Sequence, residues 1–171
     1  DALVFPSGYQ TNLAVLGALL QPHDVVWADR HMHASLFEAL RATRATLRIF
    51  RHNDAGHLRE LLSRYRKPGR CLIVTEGVFS MEGDPAPLND LLALAARHGG
   101  LLYVDDAHGA FVRGAQGRGS LEAAGITQGP VLYMATLGKA LGAQGGFVAG
   151  PAPLMDWLRN RARPFIYTTA P

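Results

Sequence analysis

The sequence has little cysteine, little lysine and no long hydrophobic run. Cys71 is the single cysteine among 171 residues, and its apolar neighbours predict a buried, unreactive thiol in a reducing, cytoplasmic protein. No run of about 18 apolar residues occurs, so we predict no membrane partner. The net charge is +3, but the arginines are scattered among carboxylates and are not interleaved with aromatic residues. We therefore predict no nucleic-acid partner.

The length of the chain fits one domain with a substantial core. Hydrophobic residues make up 48% and charged residues 18% of the sequence, as in an ordinary globular domain. The sequence begins at Asp1 without a methionine and ends at Pro171, directly after the strand-like residues 165–169. We therefore expect it to be a piece of a longer protein.

The scarcity of lysine draws attention to Lys139. The other lysine, Lys67, lies in the basic, polar residues 64–69, where a solvated ammonium is expected. Lys139 lies instead among small and apolar residues at positions 134–146. Partial desolvation lowers the pKa of an amine, and a neutral amine is what Schiff-base chemistry with a carbonyl needs. A lysine whose stem packs on apolar surface while its head reaches water is the alternative.

Apolar segments of strand length alternate with segments of helical periodicity. The predicted strands are residues 24–28, 47–50, 71–75, 101–104, 131–135 and 146–149. The predicted helices are residues 11–20, 36–44, 54–62, 88–98 and 151–161. This alternation predicts an α/β fold of three layers, with a mostly parallel sheet and helices on both faces.

Polar side chains follow three of the predicted strands where the strands end. They are Glu76 and Ser80, Asp105 and His108, and Thr136 and Lys139. Ligands of parallel sheets bind at the carboxyl ends of the strands, so we expect these side chains to share one edge. The predicted helix at residues 11–20 starts near residues 7–9, and amides at its start could bind an anion there, unless they form a plain N-cap.

Together these groups match the needs of pyridoxal phosphate. A lysine forms the Schiff base, a carboxylate keeps the pyridine nitrogen protonated, and a helix start holds the phosphate. Two rival phosphate motifs fail. Tyr133 and Ala140 stand where a Walker A loop needs a glycine and a hydroxyl residue, and no Gly-x-Gly-x-x-Gly follows a strand.

A different class of function would rest on His31 and His33. Two histidines that flank one residue can both ligate a metal, as in metal-dependent hydrolases. Loop histidines without a metal are the simpler interpretation. We keep the hydrolase as an alternative and predict no metal site.

The motifs also carry a resemblance that runs in order along nearly the whole chain. The matching stretches are residues 7–9, 33–35, 76–84, 104–109 and 136–139. This set resembles the motif series of the α-oxoamine synthases, fold-type I pyridoxal-phosphate enzymes that condense an amino acid with an acyl thioester and release carbon dioxide. Leu137 departs from the pattern, since phenylalanine is common there in the family.

The resemblance implies a role for each matching position. Lys139 matches the Schiff-base lysine, Asp105 the partner of the pyridine nitrogen and His33 the histidine stacked on the cofactor ring, and these are the expected catalytic residues. The other implied cofactor contacts are Gly8, Tyr9 and Thr136 near the phosphate, Ser80 and His108 beside the ring hydroxyl, and Thr168 and Thr169 reaching the phosphate from the neighbouring subunit of a homodimer. Glu76 matches a position to which we assign only a supporting role.

The resemblance also implies substrates and a place within a longer protein. Residues 80–84 and 105–109 are most similar to family members of biotin synthesis that use L-alanine and pimeloyl-CoA or a pimeloyl-carrier protein. Members that use glycine or serine are the first alternative, and a fragment that binds the cofactor without catalysis is another. Residues 1–171 are expected to be the central part of the large cofactor-binding domain, without the N-terminal segment and the C-terminal small domain.

Overall fold

The computed structural model describes residues 1–66 and 69–169, which form one seven-stranded sheet flanked by helices. The strands are β1 (Ala2–Phe5), β2 (Val25–Asp29), β3 (Thr46–Phe50), β4 (Cys71–Glu76), β5 (Leu101–Asp105), β6 (Val131–Thr136) and β7 (Gly146–Ala149). Their order across the sheet is β1-β7-β6-β5-β4-β2-β3. Strands β2 to β6 pair in parallel, while β7 runs antiparallel to both β6 and β1. The predicted mostly parallel sheet is confirmed.

Helices cover both faces of this sheet. They are α1 (Gly8–Leu19), α2 (Ala34–Ala42), α3 (Ala55–Arg64), α4 (Leu88–Arg97), α5 (Ser120–Ala123), α6 (Ala152–Arg161) and α7 (Arg163–Ile166). Two cores result, because successive side chains of a strand point to opposite faces. Val74 and Tyr103 pack with α1, α2 and α6 on one face, while Ile73 and Leu102 pack with α3 and α4 on the other.

The central strands are buried along almost their whole length, as continuous apolar runs predict for a sheet covered on both faces. Cys71 begins β4 and is partly buried. Burial raises the pKa of its thiol to about 11, so the thiol is protonated and unreactive near neutral pH, as predicted.

Helix starts differ from the predictions by two or three residues because polar side chains cap them. The predicted helix at residues 11–20 begins at Gly8, since the Ser7 hydroxyl accepts a hydrogen bond from the N–H of Gln10. The predicted helix at residues 36–44 begins at Ala34, with His33 as its cap. Sequence periodicity detects the buried face of a helix but not the first turn.

The strand-like interpretation of residues 165–169 is wrong. Phe165 and Ile166 lie in α7, where the ring of Phe165 packs edge-on against Phe5 with the centroids 5.5 Å apart. Tertiary packing therefore overrides the β-propensity of this segment. The prediction of a solvated Lys67 concerns a residue outside the described ones. Among the described residues, no helix combines the length and the apolar composition needed to cross a membrane.

Candidate active site

A cleft of about 270 Å³ opens where β4, β5 and β6 end beside the first turn of α1. Its walls are formed by Ser7, Gly8, Tyr9, Asn12, His33, Ser35, Glu76, Asp105, Ala107, His108, Met134, Thr136 and Lys139. The carboxyl ends of parallel strands meet at one edge, and the sheet order places these three strands side by side. The predicted convergence of side chains from separate strand ends is therefore found for five of the six side chains, all except Ser80.

Asp105 ends β5 as a buried carboxylate that faces the cleft, with 4% of the residue exposed. Its Oδ2 accepts a hydrogen bond from Asn12 Nδ2 at 2.8 Å, and its Oδ1 accepts one from the N–H of Ala107 at 3.1 Å. Burial raises the pKa of Asp105 above its ordinary value, although both hydrogen bonds favour the ionised form. The carboxylate is thus fixed in direction and stabilised by any cation in the cleft.

Lys139 follows β6, and its Nζ lies 2.5 Å from Nε2 of His108. Partial burial lowers the pKa of Lys139, while the carboxylates of Asp105 and Glu76 oppose that shift. Burial, and then the charge of Lys139, lowers the pKa of His108. A neutral imidazole can therefore accept a hydrogen bond from the amine of Lys139 at Nε2.

The lowered pKa of Lys139 and its cause, partial desolvation of the amine, agree with the sequence prediction, but the buried apolar surroundings expected from the sequence are not found. The apolar residues that surround Lys139 in sequence lie largely at the surface, and Leu141 is 50% exposed. Lys139 lines the cleft, where its amine is partly buried.

The first turn of α1 approaches the ends of β6 and β7 closely. A Cβ on Gly8 would lie 3.1 Å from Cβ of Thr136, and a Cβ on Gly146 would lie 2.8 Å from Cα of Gly8. The hydroxyl of Thr136 donates to the carbonyl of Gly145 at 3.1 Å and accepts from the N–H of Gly138. Amide groups at a helix start carry partial positive charge, so the N–H groups of this turn can attract an anion to the space beside Thr136. Tyr9 lies in the same turn, and its hydroxyl donates a hydrogen bond to the carboxylate of Glu38.

His31 and His33 face different partners. His33 caps α2 and reaches the cleft, where its Nδ1 lies 3.2 Å from the N–H of Ser35. His31 lies 2.7 Å from the carboxylate of Glu82 and stacks on the ring of His52. In the part of the chain that the structure describes, no group of three or more His, Cys, Asp or Glu side chains could hold a metal ion. The hydrolase alternative has no ligand set there.

Glu76 is the cross-strand neighbour of Asp105 and is 2% exposed. Its Oε1 is buried without a hydrogen-bond partner in the described residues. Burial, reinforced by the nearby Asp105 carboxylate, raises the pKa of Glu76 to about 7. Two carboxyl groups therefore lie side by side on the cleft wall, and one of them retains a proton up to neutral pH.

Three predicted contacts lie away from the cleft. Ser80 is exposed in the turn after β4 and does not line the cleft. Thr168 and Thr169 are exposed beyond α7, and Thr168 borders a separate surface hollow with Gln10 and Arg163. The roles implied for these three residues stay predictions.

Sequence reasoning did not identify Asn12 as a site residue. It is 1% exposed on the buried face of α1, one turn after Gly8, and its side chain bonds to Asp105. A signal was available, because an asparagine in the middle of an apolar helix face must find polar partners. The identity of those partners depends on tertiary structure.

The profile of the family Aminotransferase class I and II matches residues 1–171. The chain belongs to this family. Curated family relatives named 8-amino-7-oxononanoate synthase are 53% identical in Chromobacterium violaceum and 52% identical in Bordetella petrii, each over 169 residues. These alignments cover 99% of this chain but only 44% and 42% of the relatives, so the chain spans less than half of their length.

Solved structures of similar proteins share the fold. Serine palmitoyltransferase from S. paucimobilis, with a bound PLP-myriocin aldimine, superposes with a TM-score of 0.94 at 36% identity over 99% of this chain and 44% of that one. 8-Amino-7-oxononanoate synthase from Francisella tularensis superposes with a TM-score of 0.85 at 34% identity, over 99% of this chain and 49% of that one. The resemblance to the α-oxoamine synthases and the fold-type I architecture are confirmed.

Proposed function

We propose that this chain provides the central part of the cofactor domain of a pyridoxal-phosphate-dependent acyltransferase. The reaction condenses L-alanine with a pimeloyl thioester, with loss of carbon dioxide, to give 8-amino-7-oxononanoate for biotin synthesis. The names of the relatives that match the whole chain support this choice of reaction. The observation that carries it is the meeting of Lys139, Asp105 and Thr136 in one cleft.

The residues of the cleft fit pyridoxal phosphate. The cleft wall combines the buried carboxylate of Asp105, the amine of Lys139, and the start of α1 at Gly8 next to Thr136. The unpartnered Oε1 of Glu76 is a further buried polar atom that a ligand could satisfy. Gly8 and Tyr9 would hold the phosphate with Thr136, and Asp105 would face the pyridine nitrogen.

Pyridoxal phosphate, when bound, withdraws electrons from the α-carbon of the amino acid. Lys139 would hold the cofactor covalently and, once released, would take the α-proton at Nζ, a task that its lowered pKa favours. His108 Nε2 accepts a hydrogen bond from that amine and keeps it oriented. Asp105 would hold a proton on the pyridine nitrogen, and the ring of His33 would form one wall of the site.

The proposal includes a cytoplasmic homodimer and the carrier of the acyl group. Thr168 and Thr169 are exposed, and the Thr168 hydroxyl donates to the carbonyl of Thr169, a surface contact that it could exchange for the phosphate of a second subunit. Pimeloyl-CoA and a pimeloyl-carrier protein share the thioester that the reaction consumes. Either carrier is compatible with the chemistry of Lys139, so the assay must compare them.

Amino-acid preference is the test of this function. The intact protein is assayed with L-alanine, glycine and L-serine, each with pimeloyl-CoA or with a pimeloyl-carrier protein, and released carbon dioxide is measured. The proposal predicts the highest kcat/KM with L-alanine. A preference for serine would favour the second candidate, an activity like that of the serine palmitoyltransferases that share the fold, and a preference for glycine would indicate another sister activity. If no carbon dioxide is released with any of the three amino acids, the proposed function is contradicted.

A further inference from the structure

A buried chain of hydrogen bonds connects two residues of the cleft through α1. Asn12, 1% exposed, has its Nδ2 at 2.8 Å from Asp105 Oδ2 and at 2.9 Å from Ser35 Oγ. Its Oδ1 lies 2.7 Å from the hydroxyl oxygen of Tyr103. Ser35 Oγ continues the chain to Nδ1 of His33, at 2.8 Å. One asparagine therefore bridges the carboxylate of Asp105 and the imidazole of His33.

The direction of the first bonds follows from the groups themselves. An ionised carboxylate only accepts hydrogen bonds, so the amide nitrogen of Asn12 must face Asp105 and its oxygen must face Tyr103. Tyr103 is fully buried, and burial raises the pKa of its hydroxyl well above the ordinary value. It therefore keeps its proton and donates to Asn12. Both amide hydrogens of Asn12 are used, one on Asp105 and one on Ser35.

This direction determines which nitrogen of His33 carries the proton. Ser35 Oγ accepts from Asn12, so its own hydrogen is free to point at His33 Nδ1. The backbone N–H of Ser35 also donates to that nitrogen, at 3.2 Å. A nitrogen that accepts from two donors cannot hold a hydrogen of its own. The ring proton of His33 then lies on Nε2, and the imidazole is neutral.

We propose that Asn12 is a positioning residue that holds the carboxylate of Asp105 and, through Ser35, fixes His33 as the neutral tautomer with its proton on Nε2. The inference rests on the proposed function for its purpose. A protonated pyridine ring carries positive charge, and a cationic imidazole against the same ring would repel it. Asn12 thereby orients the anion, Asp105, toward the pyridine nitrogen and keeps the imidazole of His33 uncharged beside the pyridine ring.

Asn12→Asp is the informative variant because it preserves shape and removes both amide hydrogens. At this distance the new carboxyl group would share at most one proton with Asp105, so it has none left to donate to Ser35. The hydroxyl of Ser35 would then turn toward the new carboxyl group and offer a lone pair to His33 Nδ1. The N–H of Ser35 would be the one donor left that opposes a ring proton there, so the Nε2–H tautomer should lose population to Nδ1–H or to the cation. Tyr103→Phe is the matched control, since it removes the far bond of the same asparagine and leaves the donation to Asp105 and Ser35 unchanged.

The readout is nitrogen NMR of the imidazole rings in the intact, cofactor-free protein, with the His33 signals assigned by their loss in His33→Gln. We expect the Nε2–H tautomer in the wild type and in Tyr103→Phe, and Nδ1–H or the cation in Asn12→Asp. We also expect the Kd of pyridoxal phosphate for Asn12→Asp to be at least about 10-fold higher than for the wild type. The control should change it by less than about 3-fold.

Two results would overturn the inference. One is a wild-type His33 with its proton on Nδ1 or on both nitrogens near neutral pH, a result that does not depend on whether the Asn12 variant folds. The other is a folded Asn12→Asp protein whose His33 signals equal those of the wild type. The tautomer is read without cofactor or substrate. Failure of the L-alanine assay would therefore contradict the proposed function and leave this inference standing.

Discussion

Asp105 and Asp106 are adjacent in sequence and both buried, yet they serve different parts of the molecule. Asp105 lines the cleft. Asp106 points away from it and accepts hydrogen bonds from the N–H and hydroxyl of Ser120 and from the hydroxyl of Tyr133, at 2.6 to 2.7 Å. Only the first carboxylate lines the cleft and can act on a bound cofactor, while the second connects the start of α5 to the middle of β6.

Asp105→Asn should slow removal of the α-proton with little change in shape. Asparagine cannot hold a proton on the pyridine nitrogen electrostatically, so we expect exchange of the α-proton of L-alanine with deuterated solvent to fall at least ~100-fold, about 2.7 kcal/mol of barrier. Proton NMR of L-alanine measures this rate. Asp106→Asn is the contrast, with exchange maintained and the free energy of unfolding lowered by about 1–3 kcal/mol. Wild-type exchange in Asp105→Asn would refute the assigned role.

The raised pKa of Glu76 predicts how the free energy of unfolding changes with pH. Its pKa is about 7 in the folded chain and 4.5 ordinarily. Between pH 4.5 and pH 7, Glu76 therefore holds a proton in the folded state that it has lost in the unfolded state. The wild type should therefore lose stability as the pH rises from about 5 to 8, by at most about 3 kcal/mol from this group. Glu76→Gln removes the titration. Urea unfolding should show the variant gaining stability relative to the wild type as pH rises, and a constant difference would disprove the buried acid.

At the scale of elements, His52 ties the turn after β3 to the loop after β4. Its Nδ1 lies 2.9 Å from Asp29 Oδ1 and its Nε2 lies 3.1 Å from Asp84 Oδ2. The rings of His31 and His52 stack with centroids 4.3 Å apart, and His31 in turn contacts Glu82. Burial alone would lower the pKa of His52, but its bonds to Asp29 and Asp84 outweigh burial and raise it.

The raised pKa of His52 predicts that its contacts with Asp29 and Asp84 stabilise the fold in a pH-dependent way. A group whose folded pKa is raised stabilises the fold fully below its ordinary pKa, about 6.5, and this stabilisation is lost as the pH rises through the folded value. His52→Gln should therefore destabilise the protein most below about pH 6.5. Hydrogen exchange of residues 77–87 measures the loosening, and Asp84→Asn should reproduce part of it. Equal destabilisation at every pH would show that the contacts of His52 with Asp29 and Asp84 are not ionic.

The elements also show what sequence patterns can and cannot predict. Strands β2, β4, β5 and β6 were predicted within one residue at each end, because buried parallel strands are continuous apolar runs. Residues at strand ends, such as Asp105 and Thr136, were therefore located correctly. The starts of α1 and α2 were missed because capping by Ser7 and His33 is a local geometric event. Asn12 was missed because its partners come from β5 and α2.

At the scale of the whole molecule, the homodimer can be tested by complementation. Thr168 and Thr169 are predicted to reach the phosphate of the neighbouring subunit, and hydroxyls suit that role because they donate without adding charge. Replacing both with alanine should weaken cofactor retention and leave the reactivity of Lys139 intact. In a mixture with Lys139→Ala subunits, each mixed dimer should regain one site that draws its lysine from one subunit and its hydroxyls from the other. A mixture that dimerises without regaining tight binding would assign the threonines to their own subunit or to no site.

Lys139 is the residue that we propose binds pyridoxal phosphate covalently. Borohydride reduction of the intact protein with cofactor, followed by peptide mass mapping, tests it directly, because reduction makes the bond between the amine and the cofactor permanent. The account predicts the added mass on the peptide that contains Lys139 and its loss in Lys139→Arg. A label on Lys67, or on no lysine of the cofactor-treated protein, would contradict the account.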